Sequence, residues 1–452
     1  MHGMKALKIT AVVLFIIIGL VCGLLSMRKD WVQPVPGVDL TPPLSILPEE
    51  DVPAGSAFDL LLQATAACSN WTDATTEEYH RLSTNAWSDA AFSNLAAHIA
   101  TSEPCLQLAR AAVDAGNPQV PTVNFDSDLT YVSRVRSIGR TLVAASLRDA
   151  HYGRYDRAFE RAALATRLGD VISRGGPLIN RLVAFSCWDL GCRAMRRIAV
   201  RHHDVPASVL NKAITGLGEA EMAQPRWSDL FRWEWVSMRA AIDAMYDDPV
   251  AAQDMMWLGH AAHFARLGGS REATMADLEA CYTHIVYAAE HPLDTVRFDA
   301  LKTTLSDARH LPRLLLYRDP MGLVLASMML PSVDLATRRH LCGLITLRAT
   351  RLFLAVAWFR RKDGQLPETL EQLIPAYIGE IPNDPFDEQP LRYARVNDRH
   401  WKIYSVGADR VDNGGDAAPP NHGIFSGKDI ALASRDFLPE ERRDATDETS
   451  RK

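Results

Sequence analysis

Leu347-Arg-Ala-Thr-Arg-Leu-Phe-Leu-Ala-Val-Ala-Trp-Phe359, Asp363-Gly-Gln-Leu-Pro-Glu-Thr-Leu-Glu-Gln-Leu373, Pro382-Asn-Asp-Pro-Phe386 and Tyr404-Ser-Val-Gly-Ala-Asp409 follow one another near the C-terminus, and the apolar period changes along them. Ala349, Leu352, Phe353, Val356 and Phe359 recur at spacings of three and four, the mark of one helical face, with Arg348, Arg351 and Arg360 outside it. Gly364 ends that helix, Pro367 starts a short one through Leu370 and Leu373, and Pro375 halts it. Residues 391–396 and 401–406 have strand character and are joined by Asn397-Asp-Arg399, a hairpin pattern; Ile430 and Leu432 supply a further strand. Residues 335–437 therefore read as a small α+β module.

Upstream, residues 56–334 read as an irregular α-helical domain. Val135, Ile138, Leu142 and Ala145, and Leu178, Leu182 and Phe185, form core stripes. Thr75 with Glu78 and Thr274 with Asp277 have capping-box spacing. Gly153, Tyr155, Ala158 and Ala165 are spaced as at a tetratricopeptide-repeat junction, but no second copy follows at that period, so the body is at most weakly repeat-like. The apolar run 321–330, between Pro320 and Pro331, is too short to span a bilayer and reads as a core helix.

Residues 1–30 read as a signal anchor. Positions 9–27 carry no charge, and 19 residues at 1.5 Å each reach across the roughly 30 Å hydrocarbon core. Lys5 and Lys8 precede the run and Arg28 and Lys29 follow it, so the N-terminus inside and the body outside is the orientation taken. A cleaved signal peptide shares the basic start and apolar middle, though only the weak Val21-Cys-Gly23 site is present; both readings deliver the body to the extracytoplasmic side of a bacterial inner membrane. Residues 31–55 contain six prolines and read as an extended linker, and the charged tail 438–452 reads as disordered.

Composition bounds function. With 49 basic against 55 acidic side chains and a net charge of -6, there is no basic footprint for nucleic acid. Seven scattered cysteines without a C-x-x-C pair argue against a zinc site and read mostly as buried thiols. No H-E-x-x-H, G-x-S-x-G or Walker loop occurs. Trp227, Trp233, Trp235 and Trp257 with Glu234 form either an aromatic core or the wall of a ligand pocket. His202 and His203 read as a solvated helix end, and His284, His291 and Glu290 share a helix face without a third ligand in view.

The C-terminal landmarks resemble the globular domain of the major, G-type pseudopilin of type II secretion. They are Gly364 with Leu366 and Pro367, Pro375 with Tyr377, Ile381-Pro with Asp384-Pro-Phe386, Tyr393, and residues 404–409 with Gly414, Gly415 and Asp416. The resemblance implies a calcium ion held by Asp409 and Asp416 carboxylates and the Val406 carbonyl, with Asp412 as a further oxygen donor; calcium takes six to eight oxygens. Arg410 stands where the family has Gly, and Ala417-Ala-Pro-Pro-Asn-His lengthens the loop. The membrane segment lies more than 300 residues upstream rather than continuing into the module's helix. The whole chain is also similar to large uncharacterised envelope proteins of planctomycete-type bacteria. The expectation is a membrane-anchored scaffold that contacts protein partners through a calcium-stabilised module. The alternatives are an envelope hydrolase with its pocket near Glu234, or an atypical component of a secretion or pilus system.

Overall fold

In a computed structural model the chain is mainly helical with one small three-stranded sheet, the mainly α class that the three-and-four spacing requires. The structure describes residues 30, 32–43, 51–83, 87–116, 120–121, 129–174, 176–247, 270–291, 319–416 and 428–437. The expected membrane segment, Trp257, residues 417–427 and the charged tail lie outside the described residues. The chain forms two compact units, Met1–Pro43 with Trp227–Leu335, and Leu44–Arg226 with Ala336–Lys452.

The second unit begins with α1 (Ala57–Ala67), α2 (Asp73–Ser83), α3 (Asp89–Thr101) and α4 (Glu103–Asp114). It continues with α5 (Thr130–His151), α6 (Tyr155–Ile172), α7 (Leu178–Arg201) and α8 (Ala207–Met222). Serine caps start α1 and α3: the Asp59 and Ala91 amides each donate to a Ser Oγ at 3.2 Å, from Ser56 and Ser88. At α2 the capping pair is Thr72 with Thr75, whose amides and hydroxyls exchange bonds of 3.2 and 2.9 Å, so the helix starts before the expected Thr75–Glu78 box. Between α5 and α6 the chain turns at Gly153, φ +74°, where a side chain would be strained. Ser146 Oγ donates to the Ala158 carbonyl at 2.6 Å across this hairpin. Against α7 the approach is closer still. A Cβ at Gly191 would lie 2.1 Å from Thr166 Oγ1 and 2.3 Å from the Ala162 carbonyl oxygen, so only glycine permits this crossing.

In the first unit, α9 (Trp227–Asp247) packs on α10 (Arg271–Glu290). Residues 32–43 of the proline-rich segment form neither helix nor strand and turn once at Gly37, φ +79°, but they are not free-standing. Val32 and Val35 are buried, the Val35 amide donates to Thr283 Oγ1 at 2.8 Å, and Arg232 Nε donates to the Asp39 carbonyl at 2.9 Å. Ser270, not Thr274, caps α10, accepting from the Ala273 amide at 3.1 Å; Thr274 instead donates to buried Asp319 at 3.0 Å. Asp319 also accepts from the Gly322 amide at 2.8 Å and starts α11 (Pro320–Asp363).

The 44-residue α11 corrects the expectation of two helices broken at Pro331. A proline costs one amide donor to the carbonyl four residues earlier, and so long an apolar helix outweighs that local loss. Among the described residues its part Val333–Asp363 is the one helix long and apolar enough to cross a membrane, with mean hydropathy 1.5 in its most apolar window; 67% of that window is buried within the protein. From Ala336 onward it lies in the second unit, clasped from two sides. Toward α7 and α8, a Cβ on Gly343 would lie 3.0 Å from the Trp188 ring, Arg196 bonds Thr350, and Arg348 and Arg351 pair with Glu221 at 2.7 and 3.5 Å. Toward the C-terminal part, Phe353 lies 5.0 Å from Trp401, and Trp358 and Phe359 lie 5.1 and 5.3 Å from Tyr377.

The expected short helix is a 3₁₀ turn, Leu370–Leu373. Strands β1 (Arg392–Arg395) and β2 (Trp401–Ser405) form the expected hairpin, with Arg392 opposite Tyr404, and β3 (Ile430–Ala433) pairs antiparallel with β2.

Candidate functional site

The loop after β2 is positioned from below by Asp384, a wholly buried carboxylate in the Pro382-Asn-Asp-Pro-Phe386 segment. Its Oδ1 accepts from the Phe386 amide (3.0 Å) and Ser405 Oγ (2.9 Å), and its Oδ2 from the Val406 amide and Arg392 Nη1 (both 2.9 Å). Four donors saturate the group, which removes the cost of burying it. Val406 is thereby fixed at the root of the loop. Next comes Gly407, φ +72°, where a Cβ would meet the Lys428 carbonyl oxygen at 2.6 Å, so the two ends of the loop close tightly only over glycine.

Asp409, Asp412 and Asp416 are exposed. Asp409 Oδ1 accepts from the Val411 amide at 3.1 Å and Asp412 Oδ1 from the Gly414 amide at 2.8 Å, both local Asx turns. Asp416 pairs with Lys428 at 2.7 Å, and this hydrogen bond and the lysine's charge hold its carboxyl below the usual range. Asp429, buried beneath the loop, accepts from the Asn413 amide at 3.1 Å and the Gly415 amide at 2.6 Å. Lys402 Nζ donates to the Gly415 carbonyl at 3.1 Å. Asp429, Lys402 and Lys428 thus shape a loop whose acidic residues alone had marked it.

The donor set suits a hard cation: carboxylates, carbonyl oxygens and left-handed glycines at 414 and 415 (φ +67° and +73°) that let the backbone wrap. The structure does not draw Asp409, Asp412 and Asp416 into one cluster; among the described residues no three Asp, Glu, His or Cys side chains converge as a metal cage. A calcium ion using Asp416 would have to displace the Lys428 ammonium.

The other sequence candidates resolve differently. Trp227, Trp233 and Trp235 are buried in α9, with Trp235 5.2 Å from Tyr282 of α10 and Trp227 5.0 Å from Phe231, an aromatic core. Arg232 pairs with Asp229 and Glu290 at 3.0 and 2.7 Å. His284 contacts the Gln33 carbonyl at 2.8 Å and His291 stacks on Tyr287, so the two do not share a ligand. His202 is no solvated imidazolium. Burial beside Trp87 and Tyr155 pushes its pKa down to about 4, so it is neutral at pH 7. The cation at the end of α7 is Arg361, whose Nη2 donates to the Ala199 and His202 carbonyls at 2.6 and 2.7 Å and whose Nε donates to the His203 carbonyl at 3.1 Å. The six described cysteines are free and buried.

Asp384, Asp429, Lys402 and Lys428 are the residues that sequence reasoning did not single out as a working group. The Asp384-Pro-Phe motif marked one of them; the others lie far from the acidic loop in sequence or on a strand. Comparison with known protein families, with curated proteins and with solved structures gives no significant match.

Proposed function

We propose that the protein is a membrane-anchored extracytoplasmic scaffold that contacts other proteins through a pseudopilin-like module stabilised by calcium. In this reading residues 1–30 anchor it in a bacterial inner membrane with the N-terminus in the cytoplasm. The observation that carries the proposal is the double engagement of α11 from Ala336: one side is committed to α7 and α8, the other to the sheet module. A helix occupied on both sides has no free face for the helix stacking that builds a filament, which favours a mounted contact module over a secretion component. The closed aromatic packing of α9 favours a scaffold over a hydrolase with its pocket at Glu234.

Calcium would be held by Val406, Asp409, Asp412 and Asp416, with Lys428 as its competitor. Millimolar calcium is expected to raise the thermal stability of the full chain, Asp409→Ala to remove that gain, and Lys428→Met to enlarge it. No calcium response in either the parent or Lys428→Met refutes the ion site. A periplasmic reporter fused after residue 60 is expected to be active; activity of a cytoplasmic reporter alone overturns the topology. A photo-crosslinker at exposed Arg410 tests the contact surface, and capture of secretion or pilus machinery would replace the scaffold reading by the third one.

A further inference from the structure

Residues 32–43 follow the anchor stretch and are seated on the first unit instead of running free beside it. Val32 and Val35 are 8% and 5% exposed. Three hydrogen bonds hold the backbone of this strap: His284 Nε2 donates to the Gln33 carbonyl at 2.8 Å, the Val35 amide donates to Thr283 Oγ1 at 2.8 Å, and Arg232 Nε donates to the Asp39 carbonyl at 2.9 Å. Arg232 is itself fixed by Ser228, Asp229 and Glu290. Thr283 and His284 belong to α10 and Arg232 to α9, so both helices grip the strap.

Chain length then limits how far α10 can stand from a membrane. The uncharged run ends at Met27, five Cα steps before Val32. Fully extended, those steps reach at most about 18 Å. The headgroup layer outside the hydrocarbon takes up about 5–8 Å of that reach. What is left is about 10 Å, roughly the diameter of one helix. A free proline-rich linker over 31–55 would have let the first unit stand tens of ångströms away at about 3.1 Å per residue; the seated strap forbids it.

The side of α10 next to the strap has suitable chemistry. His284, Tyr287 and His291 are spaced three and four apart at its C-terminal end and share one face. His284 and Tyr287 are half-buried, His291 is exposed, and the Tyr287 and His291 rings stack at 4.3 Å. Tyrosine and histidine join an apolar ring to a polar tip, the combination that suits the headgroup level of a bilayer. The adjoining carboxylate, Glu290, is neutralised by Arg232 at 2.7 Å and so adds little repulsion toward lipid phosphates.

On the reading of residues 1–30 as a membrane anchor, we propose that the first unit rests on the bilayer surface, with the His284–Tyr287–His291 face of α10 in the headgroup layer and the strap as the clamp that keeps it there. The partner of this face is lipid.

The test uses the full chain in vesicles of phosphatidylethanolamine and phosphatidylglycerol, with a benzophenone amino acid at position 287 and, in a separate preparation, at 291. Illumination is expected to give protein joined to one phospholipid, read by mass spectrometry. Inserting about 20 Gly/Ser residues after Asp30 leaves the strap and its seat untouched and adds about 25 Å of reach, so most of the lipid adduct should be lost. Alkaline carbonate extraction reports the anchor separately. A chain that resists extraction yet gives no lipid adduct at either position, or the same yield with the insertion, overturns the proposal and leaves the anchor standing. A chain released by carbonate overturns the anchor, and the proposal with it.

Discussion

Replacing Asp384 by Asn turns one of its two acceptor oxygens into an NH2 group inside the sheet module. If the NH2 faces Val406 and Arg392, two donors that now bond at 2.9 Å lose their acceptor, one of them cationic. The flipped amide is cheaper. It then faces the Phe386 amide and Ser405 Oγ, and the serine hydroxyl turns to accept, so only the Phe386 amide is stranded. Arg392 retains Asp387 as an ion-pair partner but exchanges a carboxylate for a neutral oxygen. One stranded buried amide costs about 1–3 kcal/mol and the weakened charge-assisted bond about 1 more, giving about 3 kcal/mol. Asp384→Ala removes every acceptor from a buried pair and is expected to cost about 3–5 kcal/mol. Hydrogen exchange on peptides containing Phe386 and Val406 reads this locally in the full chain. About 3 kcal/mol corresponds to exchange roughly 150-fold faster, with the alanine variant faster still. Protection unchanged within threefold in both variants would refute Asp384 as the organising group.

Three further outcomes are expected. Burial pushes the partly buried Asp170 up to about 6, while its Oδ1 accepts from both Gln224 Nε2 and Trp188 Nε1. Between pH 4 and 6 the folded state holds a proton that the unfolded chain has released, so stability falls as pH rises through that window, by about 3 kcal/mol; Asp170→Asn should lose this slope, which melting temperatures from pH 4 to 7 will show. Gly191→Ala forces a methyl against the Ala162 carbonyl and Thr166 and should cost about 1–3 kcal/mol, visible as a lowered melting temperature, whereas Gly216→Ala, with open space at its Cβ, should not. The buried Cys68 and Cys105 thiols perturb each other's titration; oxidised glutathione is expected to join them into one intramolecular disulfide, readable as a mass loss of two hydrogens on the peptide pair, and closing a loop of about 37 residues should stabilise the fold by about 4 kcal/mol.

Much of the fold was legible because it follows from local period. The helix faces of α5, α7 and α11, the hairpin at Asn397 and the third strand at Ile430 all rest on residues within one turn or one strand of each other. The continuity of α11 was not, since Pro331 read alone is a stop and only the surrounding helix overrides it. Caps moved for the same reason: Thr72 and Ser270 lie just before the residues whose spacing looked right. The acidic loop was legible as a cluster of Asp and Gly, but what closes it is Asp429, thirteen residues after Asp416 and across the stretch 417–427. His202 reads as charged from its neighbours in sequence, and its neutrality is set by Trp87 and Tyr155, far off along the chain.

The bonds from Arg361 to the end of α7 also bear on whether the C-terminal part can be removed. A domain that can be shuffled between genes as a cassette must leave its host intact when it is removed. Cutting this chain ahead of Arg361 would strip the Ala199 carbonyl of α7 and the His202 and His203 carbonyls just after it of their donor and leave that helix end without its cation. The C-terminal module is therefore tied into the helical body, and removing it is expected to loosen the end of α7 as well.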